Sequence, residues 1–185
     1  MGIALSIAAT SGNVTNCTFI NNVAPKGGAI DFSNYISVTD CTFISNKAGY
    51  GGAIYWDDTY CTVDNSAFKD NVADTQGGAI YWKNGNYGNI TNSVFVNNSV
   101  TSTTVYSGGG AIYWENGKDT AVINSSFIAN NVKGDGGAIY FYGSASQGSG
   151  DYQFVSNSTF IDNTAKRGGF VFWSSDRTIN VTNSI

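Results

Sequence analysis

The sequence has no histidine, one proline, one methionine and a single leucine, Leu5. Without histidine there is no Ser-His-Asp triad and no Cys-His nucleophile pair, and zinc-site spacings are absent, since no CxxC occurs either. Poverty in leucine, methionine, glutamate and lysine argues against extensive helix. Nine Lys and Arg against thirteen Asp and Glu give a net charge of −4. That excludes the clustered basic footprint of a nucleic-acid binder. No apolar run reaches the roughly 18 residues of a membrane-spanning helix, so membrane insertion of this segment is not expected. No phosphate-cradling or dinucleotide fingerprint is present, and no cofactor is expected. Three cysteines, Cys17, Cys41 and Cys61, are an odd number at spacings that make no disulfide framework. The first seven residues lack a basic stretch and are too short for a secretory leader. Both ends stop in mid-repeat, which reads as one domain over 1–185 cut from a longer array.

What is present is glycine, asparagine, β-branched residues and aromatics, in two alternating blocks. The first reads V-x-N-C/S-x-F-x-x-N. It starts at Val14 and recurs around Phe19, Phe43, Phe68, Phe95, Phe127 and Phe160, closing at Asn22, Asn46, Asn71, Asn98, Asn130 and Asn163. The second, G-G-A-I-Y-W, occupies 27–32, 51–56, 77–82, 109–114, 136–141 and, degenerate, 168–173, with a worn copy at 2–5. Successive Phe residues lie 24, 25, 27, 32 and 33 apart. The longer steps carry Ser-, Thr-, Gly- and Tyr-rich insertions at 99–107 and 142–151, expected to be loops on one edge. One leucine excludes a leucine-rich repeat, and the unit is too short for a propeller blade. The remaining solution is a right-handed, single-stranded parallel β-helix of about six full coils plus partial terminal ones. Each coil is expected to hold two or three short strands, with coils stacked at the ordinary strand spacing of about 4.8 Å.

Columns that tolerate charge point outward. Lys69 marks the column after Phe as outer, so Phe and the Cys17/Cys41/Ser66/Ser93/Ser125/Ser158 column face in. Asp31 marks the Tyr55, Tyr81, Tyr113, Tyr140 column as outer, so the Ile and Trp/Phe columns on either side face in. The Gly pairs suit a bend with positive φ or close approach of backbones. The closing Asn residues suit a hydrogen-bonded ladder.

In this register the outward tyrosines form a flat strip, suited to stacking on sugar rings or a partner protein, or to plain cross-strand stabilisation. The next column holds Asp57, Lys83 and Glu115, an alternating charge stack beside the strip. Asp57 and Glu115 stand two coils apart, roughly 10 Å, slightly beyond the spacing of about 6.5–9.5 Å used by inverting glycosidases. Catalytic residues and metal ligands are therefore not expected. The seven N-x-S/T sequons mostly fall within the repeat's own pattern and weigh little.

Alternation of F-x-x-N with G-G-A-I resembles the passenger repeats of chlamydial-type polymorphic outer-membrane proteins. N-C/S-T-F-I-x-N followed by G-G-A-I-Y is also similar to adhesin-like proteins of methanogenic archaea. The resemblance runs over essentially the whole chain and implies a β-helix, an extracellular or cell-surface location and attachment to a host or partner cell-surface protein or glycan. It supplies no catalytic residue. The expectation is a non-catalytic adhesin-like module. Two alternatives stand beside it: a polysaccharide lyase or hydrolase using Asp57 and Glu115, and a surface protein that self-associates head to tail into filaments.

Overall fold

The computed structural model describes residues 5–7, 11–33, 35–104, 107–143, 152–174 and 178–185. The worn Gly-Ile-Ala at 2–4 and most of the second insertion, 144–151, lie outside the described residues. Every described strand pairs in parallel with its counterpart in the next copy of the repeat. The chain winds as a right-handed parallel β-helix, the hand that parallel crossovers take.

Each full coil contributes to four sheets rather than two or three. Ile54–Asp57, Thr62–Asp64, Ala67–Lys69 and Val72–Gln76 form one such turn of the solenoid. The extra division comes from single residues in left-handed conformation. Asn16, Asp40, Asn65, Asn92, Asn124 and Asn157 have φ between 47° and 55° and split the V-x-N-C/S-x-F block between its Asn and its Phe. Asn21, Ser45, Asp70, Asn97, Ala129 and Asp162 turn the chain again just before the closing Asn. Asn and Asp adopt this region more readily than other side chains, so one residue suffices for each corner.

The Gly pair makes the third corner, and its two members do different things. The first, as Gly77, has φ of 65°. The second packs backbone on backbone: a Cβ on Gly78 would sit 2.0 Å from the carbonyl oxygen of Gly110 in the next coil. Both demands read from the sequence are met, one by each glycine.

The core is a set of axial columns. Phe43, Phe68, Phe95 and Phe127 are fully buried, and their rings stack in parallel with centroids 4.7 Å apart. Ile54, Ile80, Ile112 and Ile139 stack in register, as do Trp56, Trp82 and Trp114. These three tryptophans are fully buried, whereas Trp173 in the last described coil is exposed. At about 1.5–3 kcal/mol per buried large apolar side chain, a coil is stabilised chiefly by its neighbours.

Two polar ladders run through the same interior. The Asn98 amide accepts from the Asn71 backbone N–H at 3.1 Å and from Asn71 Nδ2 at 2.9 Å. It donates to the Phe68 carbonyl at 3.0 Å and to Asn130 Oδ1 at 2.9 Å. The pattern repeats at Asn46, Asn71 and Asn130, so each amide is satisfied in the dry core. The second ladder is of hydroxyls. Ser93 Oγ accepts from the Ser66 N–H at 3.1 Å and donates to the Thr91 carbonyl at 2.7 Å, and Ser125 repeats this. Where Cys41 takes the position, its thiol donates to the Thr39 carbonyl. None of the three cysteines is in a disulfide.

The first insertion begins later than expected. Ser99–Val100 is a regular strand paired with Val72-Ala73 on one side and Asn131-Val132 on the other.

Candidate functional site

Tyr55, Tyr81, Tyr113 and Tyr140 stand on the outer side of the first sheet, as alternation requires, and form a cluster separate from the core. They are not an exposed strip, however: their relative exposures are 3–7%. The cause is the Gly corner. It is so tight that the residue before each Gly pair overhangs the tyrosines. These overhanging positions form their own bridged column of Lys26, Tyr50, Gln76, Gly108, Asp135 and Arg167. Lys26 Nζ lies 4.6 Å above the Tyr55 ring, and Tyr50 meets Tyr81 edge-on at 5.5 Å. Asp31 in the tyrosine column is half-buried for the same reason, and burial raises its carboxyl pKa against the pull of Lys26. A charge in a column thus reports direction, not openness to solvent.

Roofing changes the chemistry of the phenols. Burial pushes the Tyr81 pKa up, and the Glu115 carboxylate, to which Tyr81 donates its hydroxyl proton, pushes it further. Tyr113 is raised first by burial and then by Tyr140 and Glu115. Tyr140 is also raised by burial. These phenols are neutral donors at physiological pH, not nucleophiles.

Asp57, Lys83 and Glu115 occupy one register column. Lys83 Nζ lies 3.1 Å from Asp57 Oδ2, and Asn84 Nδ2 donates to the other Asp57 oxygen at 2.9 Å. Glu115 accepts from Tyr81. Both carboxylates are therefore already engaged, on strands two steps apart. What the structure does bring together is Tyr55, Tyr81, Lys83 and Glu115. With Lys26, Tyr50 and Gln76 they line an open depression of about 390 Å³ along the Gly corner. Tyr113, Tyr140 and Asp57 are not among its lining residues. Farther along the same corner, Thr103 and Thr104 of the first insertion face Lys133, Lys166 and Arg167 across a smaller pocket of about 160 Å³. There Arg167 grips the buried Asp135 carboxylate bidentately, at 2.8 and 2.6 Å.

A second aromatic column was missed in the sequence. Tyr35, Tyr60 and Tyr87 stack on the corner between the first and second sheets and are open to solvent. Counting two residues back from Ser37, Thr62 and Asn89, which share a register, would have found them.

Fold, ladders and in-register aromatic columns together define a parallel β-helix repeat protein. Residues 16–33, 40–55 and 65–81 match the Chlamydia polymorphic membrane protein (Chlamydia_PMP) repeat. No curated protein and no solved structure matches the chain.

Proposed function

We propose that the chain is a non-catalytic, extracellular adhesin-like module that holds a binding surface for a cell-surface protein or glycan on a stiff solenoid. The observation that carries this reading is the depression along the Gly corner. There the phenols of Tyr50 and Tyr81, the ammonium groups of Lys26 and Lys83 and the Glu115 carboxylate converge at a shallow, open rim. Such a mixture offers donors, acceptors and the exposed Tyr50 ring to a large ligand lying across several coils. Support also comes from the polymorphic membrane protein repeat, whose family name places its members at a membrane. The engagement of Asp57 by Lys83 and Asn84, and of Glu115 by Tyr81, favours binding over glycoside cleavage.

The test is saturable attachment of the purified chain to a panel of cells and to a glycan array, run beside a polysaccharide-cleavage assay. The expected result is attachment without cleavage, weakened by Tyr50→Ala or Lys83→Ala. Cleavage that is lost in Asp57→Asn, or attachment to nothing in either panel, would overturn the proposal.

A further inference from the structure

The smaller pocket of the Gly corner lies where the first insertion folds back on the solenoid, and its walls are fixed. Ser102 donates its backbone N–H to the Asp74 carbonyl at 2.9 Å. Ser107, fully buried, closes the turn on the Thr104 carbonyl through its backbone N–H, at 3.1 Å, and its hydroxyl, at 2.7 Å. Gly134 makes room for this turn: a Cβ there would meet the Ser107 carbonyl oxygen at 2.0 Å. Thr103 and Thr104 are thereby held as one wall.

Cations make the other wall. Arg167 is restrained from two sides. It donates from Nε and Nη2 to the buried Asp135 carboxylate, and its guanidinium carbon lies 4.6 Å from the centroid of the Phe172 ring. The guanidinium keeps further N–H donors for a ligand, on a side chain whose ordering cost is already met. Lys133 and Lys166, from neighbouring coils, are exposed and pair with no carboxylate among the described residues. Lys47, Lys69 and Lys83, by contrast, each have a carboxylate within 4.0 Å. Three cations against the single Asp135 carboxylate leave the pocket with two surplus positive charges, in a chain whose net charge is −4. Gathering like charges costs free energy that a bound anion offsets.

The lining narrows the ligand further. Threonine hydroxyls face ammonium and guanidinium groups, and no aliphatic or aromatic residue is among the described residues that line the pocket. An acidic peptide would find nowhere to bury an anchoring side chain. A ligand that carries hydroxyls along with its charge matches both walls.

We infer that Thr103, Thr104, Lys133, Lys166 and Arg167 form a binding site for the carboxylate or sulfate group of an acidic oligosaccharide. The inference rests on the binding-module reading and adds a second contact point along the same corner, with the charge of its ligand named. The probes are a uronic acid tetrasaccharide, a sulfated tetrasaccharide, a neutral tetrasaccharide and an acidic tetrapeptide, each titrated calorimetrically into the whole chain. The double variant Lys133→Gln/Lys166→Gln is compared with Lys69→Gln on another face. All three side chains are exposed, so the denaturation midpoint stays unchanged. The expected result is binding of an acidic tetrasaccharide that weakens with rising salt and falls about tenfold in the double variant, while Lys69→Gln has no effect. Whichever of the uronic acid and the sulfated probe binds more tightly identifies the anion. Failure of both acidic tetrasaccharides to bind, equal binding of the neutral one, binding of the peptide alone, or an affinity unchanged in the double variant would each overturn the site. After such a failure, cell attachment that still falls in Tyr50→Ala leaves the module reading standing. Attachment to nothing removes the two together.

Discussion

Replacing Asn98 separates the contribution of the amide ladder from that of the apolar columns. The Asn98 side chain is fully buried and makes four hydrogen bonds, two accepted and two donated. Asn98→Leu keeps the branching at Cγ and removes all four. The Asn71 backbone N–H then loses its partner, as does one proton of the Asn71 amide, and the Phe68 carbonyl and Asn130 Oδ1 each lose one donor. At about 1–3 kcal/mol for each buried polar group left unsatisfied, the cost is about 3–5 kcal/mol. Asn98→Asp is the sharper probe. A carboxylate accepts from Asn71 as the amide did, but it presents an oxygen instead of N–H groups to the Phe68 carbonyl and Asn130 Oδ1, and it buries a charge. It is expected to be worse than leucine at pH 7. Part of the loss should be recovered in acid, where the protonated carboxyl donates one of the two missing bonds. The sign follows from the buried environment: the folded-state pKa of this carboxyl is raised, so its variant is most stable below the ordinary carboxylate range and weakens as pH rises. The assay is urea unfolding between pH 4 and 8, referenced to the unsubstituted chain, with hydrogen exchange of the Asn71 amide as the local readout. An Asn98→Asp variant as stable as the unsubstituted chain at pH 7, or one indifferent to pH, would refute the assignment of donors and acceptors along the ladder.

Phe95→Ala should cost about 3–5 kcal/mol, since its ring is sandwiched at 4.7 Å on both sides. Exposed Lys69→Ala, on the adjacent outer column, should stay within about 0.5 kcal/mol in the same denaturant assay. Gly78→Ala should prevent assembly of the regular solenoid, measurable by circular dichroism, because the added carbon meets backbone at 2.0 Å. Gly12→Ala, whose nearest neighbour is the Ile36 side chain at 3.9 Å, should be tolerated. Alkali should unfold the chain cooperatively. Burial pushes the Cys61 thiol up to about 11 and raises Tyr81 and Tyr113. The stability these neutral groups retain is complete below their ordinary values and falls as pH rises from about 9. Phenolate absorbance should therefore report a buried class that ionises only on unfolding. Titration of every tyrosine near its ordinary value in the folded chain would contradict this.

Much of the architecture was legible because each column repeats in every coil and a single misplaced charge reveals its direction. Lys69 oriented the Phe column, and Asp31 oriented the Tyr column. Direction alone does not give accessibility: whether Tyr81 meets solvent depends on Tyr50 from the neighbouring sheet, which no periodicity within the G-G-A-I-Y-W block encodes. The four-sheet cross-section was hidden because a left-handed Asn65 or Asp70 resembles any other polar residue inside an alternating run. Alternation showed only that the Ser66–Ser93–Ser125 column faces inward, not that its hydroxyls continue a role the Cys41 thiol fills on one side. The exposed Tyr35–Tyr60–Tyr87 column escaped notice because variable lengths between the two blocks shift it against G-G-A-I-Y-W. It lines up only when counted from the strand that follows.

The corners made by single residues have an implication for how such chains change length. Where a coil carries no insertion, single residues in left-handed conformation reverse the chain, and one such turn is interchangeable with the next. Excising the 27 residues that separate Asn71 from Asn98 would bring Phe to Phe, Ile to Ile and amide to amide across the junction. Gain or loss of one period is a graft the solenoid is built to accept, and the reach of the molecule can be adjusted in steps of one strand spacing while every surviving surface stays intact.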